Sequence, residues 1–225
     1  MRKRSKDKFL FKVFRFILRP FYRKPKIINV EVLTKPSIIL ANHACSKGPA
    51  TWSYYFPYEF KIWANSYFTT NFKTTYKHLK YDYLITKTKR SKFTASILSI
   101  IGAPFIHLMF KVSKVIPVYN DLRFYQTIKQ SVETIKDDRF VIIFPEYSEE
   151  GYDEHPKVIL PGFLILAKEL KRQGIDIDII CAYQSVKRKT ITFAEPENIN
   201  ELLEEFSSDE EILKHIINRI NDLDK

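Results

Sequence analysis

Residues 140–144 read FVIIF, a continuous run of β-branched and aromatic residues that Pro145 stops. A short run without polar alternation is typical of a strand buried on both faces of a parallel sheet. A chain that contains such strands must supply helices to cover both faces. Further strands are predicted at residues 38–40, 114–119, 175–183 and 189–193.

Helical patterns separate these strands along the chain. Apolar residues recur at helical spacing through residues 121–136. A second helix is predicted at residues 161–172, with Pro161 suited to its first turn and Gly174 to its end. Residues 199–223 form a polar helical segment near the C-terminus. The alternation predicts the α/β class, with a mostly parallel mixed sheet flanked by helices.

Charge is concentrated towards the two ends of the chain. The 225 residues carry a formal net charge of +11, and residues 1–26 hold eleven Lys and Arg against one Asp. From Glu195 onward, ten acidic residues face three basic ones. We therefore predict a basic amphipathic membrane-binding segment at residues 1–27. Residues 28–225 are predicted to form one α/β domain with an acidic C-terminal helical segment.

The basic segment has the pattern of an amphipathic helix. On a helix, Lys8, Lys12, Arg15 and Arg19 fall on one stripe, and phenylalanines fill much of the remainder of residues 9–18. Ten residues are too few to span a bilayer, which needs about 20, but they suit a helix in the plane of an anionic surface. A helix docked on the protein's own core stays an alternative. The phenylalanines disfavour a nucleic-acid arm, so we expect no nucleic-acid partner.

A second apolar stretch, residues 93–110, has no formal charge and the length of a membrane span. Gly102 and Pro104 interrupt it, so we predict a bent, half-buried helix that can touch lipid without crossing it. The aromatic patch at residues 52–68 is expected to form part of the core and one wall of an acyl groove.

The polar residue types exclude several other classes of site. The two cysteines, Cys45 and Cys181, lie far apart, and the five histidines show no metal-ligand spacing. No glycine-rich phosphate loop and no secretory signal peptide is present. A thiol nucleophile at Cys45 is disfavoured, because side chains so near His43 on one loop seldom face each other. We expect no metal and a reducing, cytosol-facing location.

Four motifs occur in a recognisable order: Asn42-His43 after a strand, residues 116–123 (IPVYNDLR), residues 144–148 (FPEYS), and a late strand before residues 187–189. Over about residues 30–196 the chain resembles the glycerolipid acyltransferases of the lysophosphatidic acid acyltransferase type. The resemblance implies a glycerol-3-phosphate acyltransferase-like fold that transfers a fatty acyl group from an acyl thioester to a lysophospholipid or glycerol-phosphate-like hydroxyl.

The same resemblance implies the reaction's partners. The co-substrate would be acyl-CoA or acyl carrier protein, with no bound cofactor. The acceptor would be a lysophospholipid at an anionic lipid surface. The protein would lie at the cytoplasmic face of a membrane, either peripheral or anchored in the membrane plane.

The resemblance also implies roles for individual residues. His43 would be the general base, because a histidine can take the proton of the attacking hydroxyl. The family pairs it with an aspartate that fixes the ring, and Gly48 stands at that position. Asp82, Asp121, Glu146 or a backbone carbonyl could orient the ring instead. Because half of the dyad is missing, a catalytically degenerate lipid-binding or scaffold protein on the same fold stays an alternative.

The implied substrate contacts come from two motifs and one neighbour of the base. Arg123 would bind the acceptor's phosphate, since a planar guanidinium donates two parallel hydrogen bonds. Glu146 follows Phe-Pro as in the family, Tyr147 stands where the family has glycine, and Ser148 would supply the hydroxyl of the usual threonine. Asn42 would contact substrate beside the base.

Overall fold

The computed structural model describes residues 9–44, 48–113, 115–147 and 154–224. The strands are β1 (Lys26–Ile28), β2 (Ile38–Ala41), β3 (Phe60–Asn65), β4 (Val115–Val118), β5 (Phe140–Ile143), β6 (Asp178–Ser185), β7 (Thr190–Phe193) and β8 (Glu197–Asn198). The helices are α1 (Phe9–Leu18), α2 (Gly48–Tyr55), α3 (Phe72–Lys77), α4 (Lys92–Val112), α5 (Phe124–Lys136), α6 (Gly162–Arg172), α7 (Ile199–Glu205) and α8 (Asp209–Asn221). A π-helix (His78–Lys87) follows α3 directly.

The strands join in one mixed sheet with the order β1-β7-β6-β2-β5-β3-β4, and β8 pairs with β6. The central strands β6, β2, β5, β3 and β4 are parallel, whereas β6 pairs with β7 and β8 antiparallel. The predicted α/β class with a mostly parallel mixed sheet flanked by helices is therefore confirmed. The carboxyl ends of the central strands meet at one edge, which we call the carboxyl edge.

Side-chain alternation along β2 divides the core between the two sheet faces. Ile38 and Leu40 belong to a cluster formed with α5, α6, α7 and α8. Ile39 and Ala41 belong to a second cluster, which includes Trp52 and Phe56 from α2 or its end. All four residues of β2 are fully buried. Full burial of each large apolar side chain contributes about 1.5–3 kcal/mol, so this central strand is a main source of stability.

Local predictions differ from the structure in three places. The sequence of residues 46–49, Ser-Lys-Gly-Pro, is typical of a loop, but Gly48 and Pro49 lie in the first turn of α2, where proline is tolerated, and residues 46 and 47 lie outside the described part. The strand predicted at residues 175–183 begins later, at Asp178. The C-terminal helical segment is two helices, because the Ser208 side chain caps a new helix start.

The apolar stretch near residue 100 is one helix, α4, with Pro104 inside it. Only 17% of its most apolar window is fully buried, and nine of the 18 residues from 93 to 110 are exposed, consistent with a half-buried helix. By length and composition α4 could cross a membrane. Residues 9–18 form α1, and Phe11 of this helix is buried against the protein. The use of residues 1–27 in membrane binding stays a prediction.

Candidate active site

Asn42 follows β2 at the carboxyl edge and ties it to β6. Its Oδ1 accepts a hydrogen bond from the Gln184 backbone N–H at 2.6 Å, and its Nδ2 donates to the Gln184 carbonyl at 3.1 Å. The Asn42 side chain thus makes the hydrogen bonds to β6 that a further backbone residue of β2 would otherwise make. The side chain is buried and engaged at both ends, so it fixes the point at which the chain leaves the sheet.

Glu146 holds the next residue from the opposite side. The His43 backbone N–H donates to Glu146 Oε2 at 3.0 Å, and Glu146 is only 8% exposed. An antiparallel bridge between Glu146 and Ile159 fixes the glutamate, flanked by a hydrogen bond from the Tyr147 N–H to the Val158 carbonyl at 3.0 Å. His43 is therefore positioned from β6 on one side and from the end of β5 on the other.

The His43 ring is half-buried against an aromatic wall. It meets the Phe144 ring edge-on at a centroid distance of 5.5 Å, and Phe144 in turn meets Trp52 at 6.0 Å. Ala44 follows with a positive φ of 46°, a conformation that costs a non-glycine residue of order 1–3 kcal/mol. Such strain persists only where the surrounding contacts impose it, and it turns the chain sharply after His43.

Gly48 packs against the backbone of His43. A Cβ at position 48 would lie 2.0 Å from the His43 carbonyl oxygen and 2.9 Å from its carbonyl carbon. No side chain fits there without backbone movement. The glycine is thus required by the close approach of α2, and the aspartate that the resemblance leads one to expect has no room at this position.

Asp82 and Asp121 are engaged elsewhere, whereas Glu146 accepts from the His43 backbone. Asp82 accepts from or shares a proton with His78 at 2.7 Å within the π-helix. Asp121 forms a bidentate pair with Arg123. Glu146 is beside His43, but its observed bond is to the backbone N–H of that residue.

Two buried polar atoms near the carboxyl edge were not predicted from the sequence to belong to the site. Gln184 Oε1 and Trp52 Nε1 have no hydrogen-bond partner among the described residues, although both residues are more than nine-tenths buried. In the pairing of β2 with β6, Ala41 lies opposite Ala182, and both side chains lie on the same face of the sheet. Side chains alternate between faces along a strand, so Gln184, two residues after Ala182, is on this face too, as is His43, two residues after Ala41. A glutamine ending an apolar strand was the available sequence signal. An unpaired buried carbonyl of this kind calls for a ligand or a bonding partner.

Arg123 lies away from His43. It lies just before α5, after the end of β4, and β4 is three strand positions from β2 in the sheet. Its guanidinium donates to Asp121 at 2.7 Å and covers the Tyr119 ring at 4.6 Å. Hydrogen bonding from Arg123 lowers the pKa of Asp121 to about 2. The two motifs therefore share the carboxyl edge without contact between these side chains.

The remaining predicted residues are only partly described. Tyr147 is 49% exposed beside Glu146. Ser148 and Cys45 lie outside the described residues.

Burial raises the pKa of the Cys181 thiol to about 12, which keeps it protonated and unreactive. Within the described ranges no three His, Cys, Asp or Glu side chains are grouped to hold a metal.

A groove of about 830 Å³ runs between α5 and α6. It is lined by apolar residues such as Ile128, Val132 and Ile165, with lysines at its rim. These helices cover the sheet face opposite to Trp52 and Phe144, so the groove is separate from the His43 site.

No protein-family model matches this chain, and no curated protein sequence matches it either. The functional assignment therefore depends on the residues and geometry described above.

Proposed function

We propose that the protein transfers a fatty acyl group from an acyl thioester, acyl-CoA or acyl carrier protein, to the hydroxyl of a lysophospholipid or glycerol-phosphate-like acceptor at a membrane surface. The observation that carries the proposal is the double fixation of the backbone at His43: Asn42 is bonded to Gln184 of β6, and Glu146, which follows β5, accepts from the His43 N–H. A histidine held at the carboxyl edge of a parallel sheet, where such folds bind ligands, is suited to general-base catalysis.

In this reaction His43 removes the proton of the acceptor hydroxyl as the oxygen attacks the thioester carbonyl. The tetrahedral intermediate then collapses, the C–S bond breaks, and the thiol leaves with the proton that the imidazolium returns. The products are an ester and a free thiol, so atoms and charge balance without a metal or bound cofactor. General-base catalysis contributes a factor of about 10² to 10⁴ to the rate, so loss of the base should lower turnover by at least about 100-fold.

The missing aspartate requires another group to orient the ring, and Gln184 is our candidate. Its buried, unpaired Oε1 is an acceptor on the face and strand adjacent to His43. A carboxamide oxygen can accept the Nδ1–H and leave Nε2 free as the base, although it is neutral and stabilises an imidazolium less than a carboxylate does. In this proposal Gln184 is a positioning residue.

The other site residues have separate roles in the proposal. Asn42 acts by positioning His43, because its amide is engaged with Gln184. Arg123 binds an anionic headgroup after release from Asp121. Tyr147 and Ser148 flank the acceptor.

Turnover of an acyl-CoA and acyl carrier protein panel with several lysolipids in mixed micelles tests the proposal. His43→Ala should reduce turnover at least 100-fold. His215→Ala is the matched control, because His215 binds Glu197 near the start of β6, at the opposite edge of the sheet. Equal effects of the two substitutions would contradict a catalytic role for His43.

A lipid-binding protein without catalysis is the second candidate, and the contact of Gly48 with His43 favours it. The backbone there excludes the acid of the ordinary dyad. If folded, vesicle-bound wild type turns over no donor and acceptor pair, this candidate replaces the first.

A further inference from the structure

Two helices that are distant in sequence pack together on one surface of the protein. Phe14 of α1 meets Phe105 of α4 edge-to-face at a centroid distance of 5.3 Å. Phe11 of α1 is 3% exposed, so α1 is seated on the protein by one side. We call the outward sides of α1 and α4 together the two-helix surface.

The two-helix surface is apolar and exposed. Six of its large apolar side chains are more than half exposed: Phe9, Phe16, Ile17, Phe93, Ile100 and Ile101. By contrast, the buried residues of α4 are small or at its end: Ala95, Ser99, Ala103 and Val112. Soluble monomers rarely expose contiguous apolar patches of this kind, and such a patch marks an interaction site.

The two sequence segments that contain α1 and α4 carry charge of one sign. Residues 9–30 contain six basic residues and no acidic residue, and residues 83–120 likewise contain six basic and no acidic residues. A second copy of the chain would bring these positive charges together, which disfavours self-association through this face. An anionic lipid surface offers negative headgroups to the basic residues and acyl chains to the apolar ones.

We propose that the two-helix surface docks on an anionic lipid bilayer, with α1 and α4 both in the plane of the membrane. The proposed function uses a membrane surface in general. The two-helix surface is the part of the protein that would meet the membrane, with α4 beside the predicted membrane-binding segment at residues 1–27, whether or not the protein transfers acyl groups.

The contacts of α4 favour an in-plane helix over a span. His107 Nδ1 lies 3.1 Å from the Phe68 carbonyl, and Phe110 stacks on Phe68 at 4.9 Å. The helix ends at Val112 and β4 begins at Val115, paired with β3. A spanning α4 would have to break these contacts or carry the charged π-helix beside it into hydrocarbon.

Vesicle co-sedimentation of the full chain tests the docking surface. We expect binding to phosphatidylcholine vesicles containing phosphatidylglycerol, and at least tenfold weaker binding after Ile101→Asp. Ile165→Asp is the matched control, because Ile165 is a half-exposed helix residue on α6. Its binding should change less than twofold. Equal binding of wild type and Ile101→Asp, or equal binding to pure phosphatidylcholine vesicles, overturns the proposal.

Depth measurements test the orientation. In a Cys45→Ser protein, single spin labels introduced from position 97 to position 108 should give depths that vary with helical period and stay near the headgroups. A depth that rises and falls once along α4 would show a span and overturn the in-plane assignment. A stable dimer in lipid-free sedimentation that Ile101→Asp dissociates would overturn the lipid assignment.

These outcomes are separable from those of the proposed function. His43→Ala should bind vesicles like wild type, since His43 lies on the carboxyl edge and not on the two-helix surface. If His43→Ala loses turnover but still binds vesicles, the result tests the proposed acyl transfer and not the docking surface. If Ile101→Asp loses vesicle binding, the result tests the docking surface and not the role of His43.

Discussion

The His43 site and the two-helix surface depart from ordinary burial in opposite directions. Around His43, polar side chains are inside: Asn42 is 1% exposed, Gln184 6% and Glu146 8%. On α1 and α4, apolar side chains are outside, and Phe16 is 83% exposed. Buried polar groups and exposed apolar patches are the informative exceptions in a folded protein, and each needs a partner. Around His43 most of these partners lie within the chain, whereas for the two-helix surface we propose that they lie outside it.

This difference predicts that substitutions near His43 alter folding, whereas substitutions on the two-helix surface alter only association. The largest effect is expected from Gly48→Asp. The new Cβ would overlap the His43 carbonyl, so the free energy of unfolding should fall by about 3 kcal/mol. Urea unfolding followed by circular dichroism measures it.

Gly162→Ala is the control for that substitution. Its Cβ would meet the Trp63 ring at 3.3 Å, a side-chain contact that can adjust, so we expect a loss below about 1 kcal/mol. If Gly48→Asp were as stable as Gly162→Ala, the backbone of α2 at position 48 could not be in close contact with the His43 carbonyl.

Glu146→Leu should have the next largest effect. It leaves the His43 N–H without its carboxylate acceptor, and hydrogen bonds to charged groups contribute about 1.5–3 kcal/mol. Glu146→Gln keeps an acceptor oxygen and should lose less than half as much. Denaturant midpoints of the two variants at equal m-values provide the comparison. Equal losses would mean that the bond to His43 is not what the glutamate contributes.

Gln184→Met separates positioning from stability. The backbone bonds to Asn42 do not involve the Gln184 side chain, so unfolding should change by less than about 1 kcal/mol. The His43 ring should lose its Nδ1–H preference in nitrogen-15 NMR, and turnover should fall at least tenfold. Gln184→Glu retains an acceptor and should keep the wild-type tautomer. An unchanged tautomer in Gln184→Met would remove Gln184 from the mechanism.

The smallest effect on folding is expected on the two-helix surface. Ile100 is 60% exposed, so Ile100→Ser should change the free energy of unfolding by less than about 0.5 kcal/mol in the absence of lipid. The matched buried position is Ile142, fully buried in β5, where serine should cost about 3 kcal/mol. Similar losses at the two positions would mean that Ile100 is covered within the protein.

Local patterns in the sequence predicted most of the strands and helices. The FVIIF run became β5, and the segment after residue 121 became α5, because hydrophobic periodicity is a local property. The end of the long apolar helix was less predictable, since Pro104 was accommodated within α4. The order of the strands in the sheet could not be predicted from local sequence patterns either, because it joins strands that are distant in the chain.

The site was predicted less completely than the fold. His43 and Glu146 were singled out as neighbours in function, and the structure brings them together through a backbone bond that no motif indicates. Gln184 was missed because its nearness to His43 depends on the register between β2 and β6. Arg123 was expected beside the acceptor, but it pairs with Asp121 two residues away, and the position of β4 in the sheet depends on tertiary contacts.

The central location of β2 affects the order in which the molecule can form during synthesis. The bonds that fix His43 join positions separated by 103 and 142 residues, so they require nearly the whole chain. The contact of α1 with α4 is complete once residue 112 has emerged. Long-range pairings are the slow step of folding, and N-terminal elements are made first. The nascent chain therefore presents its apolar helices before it possesses an ordered histidine.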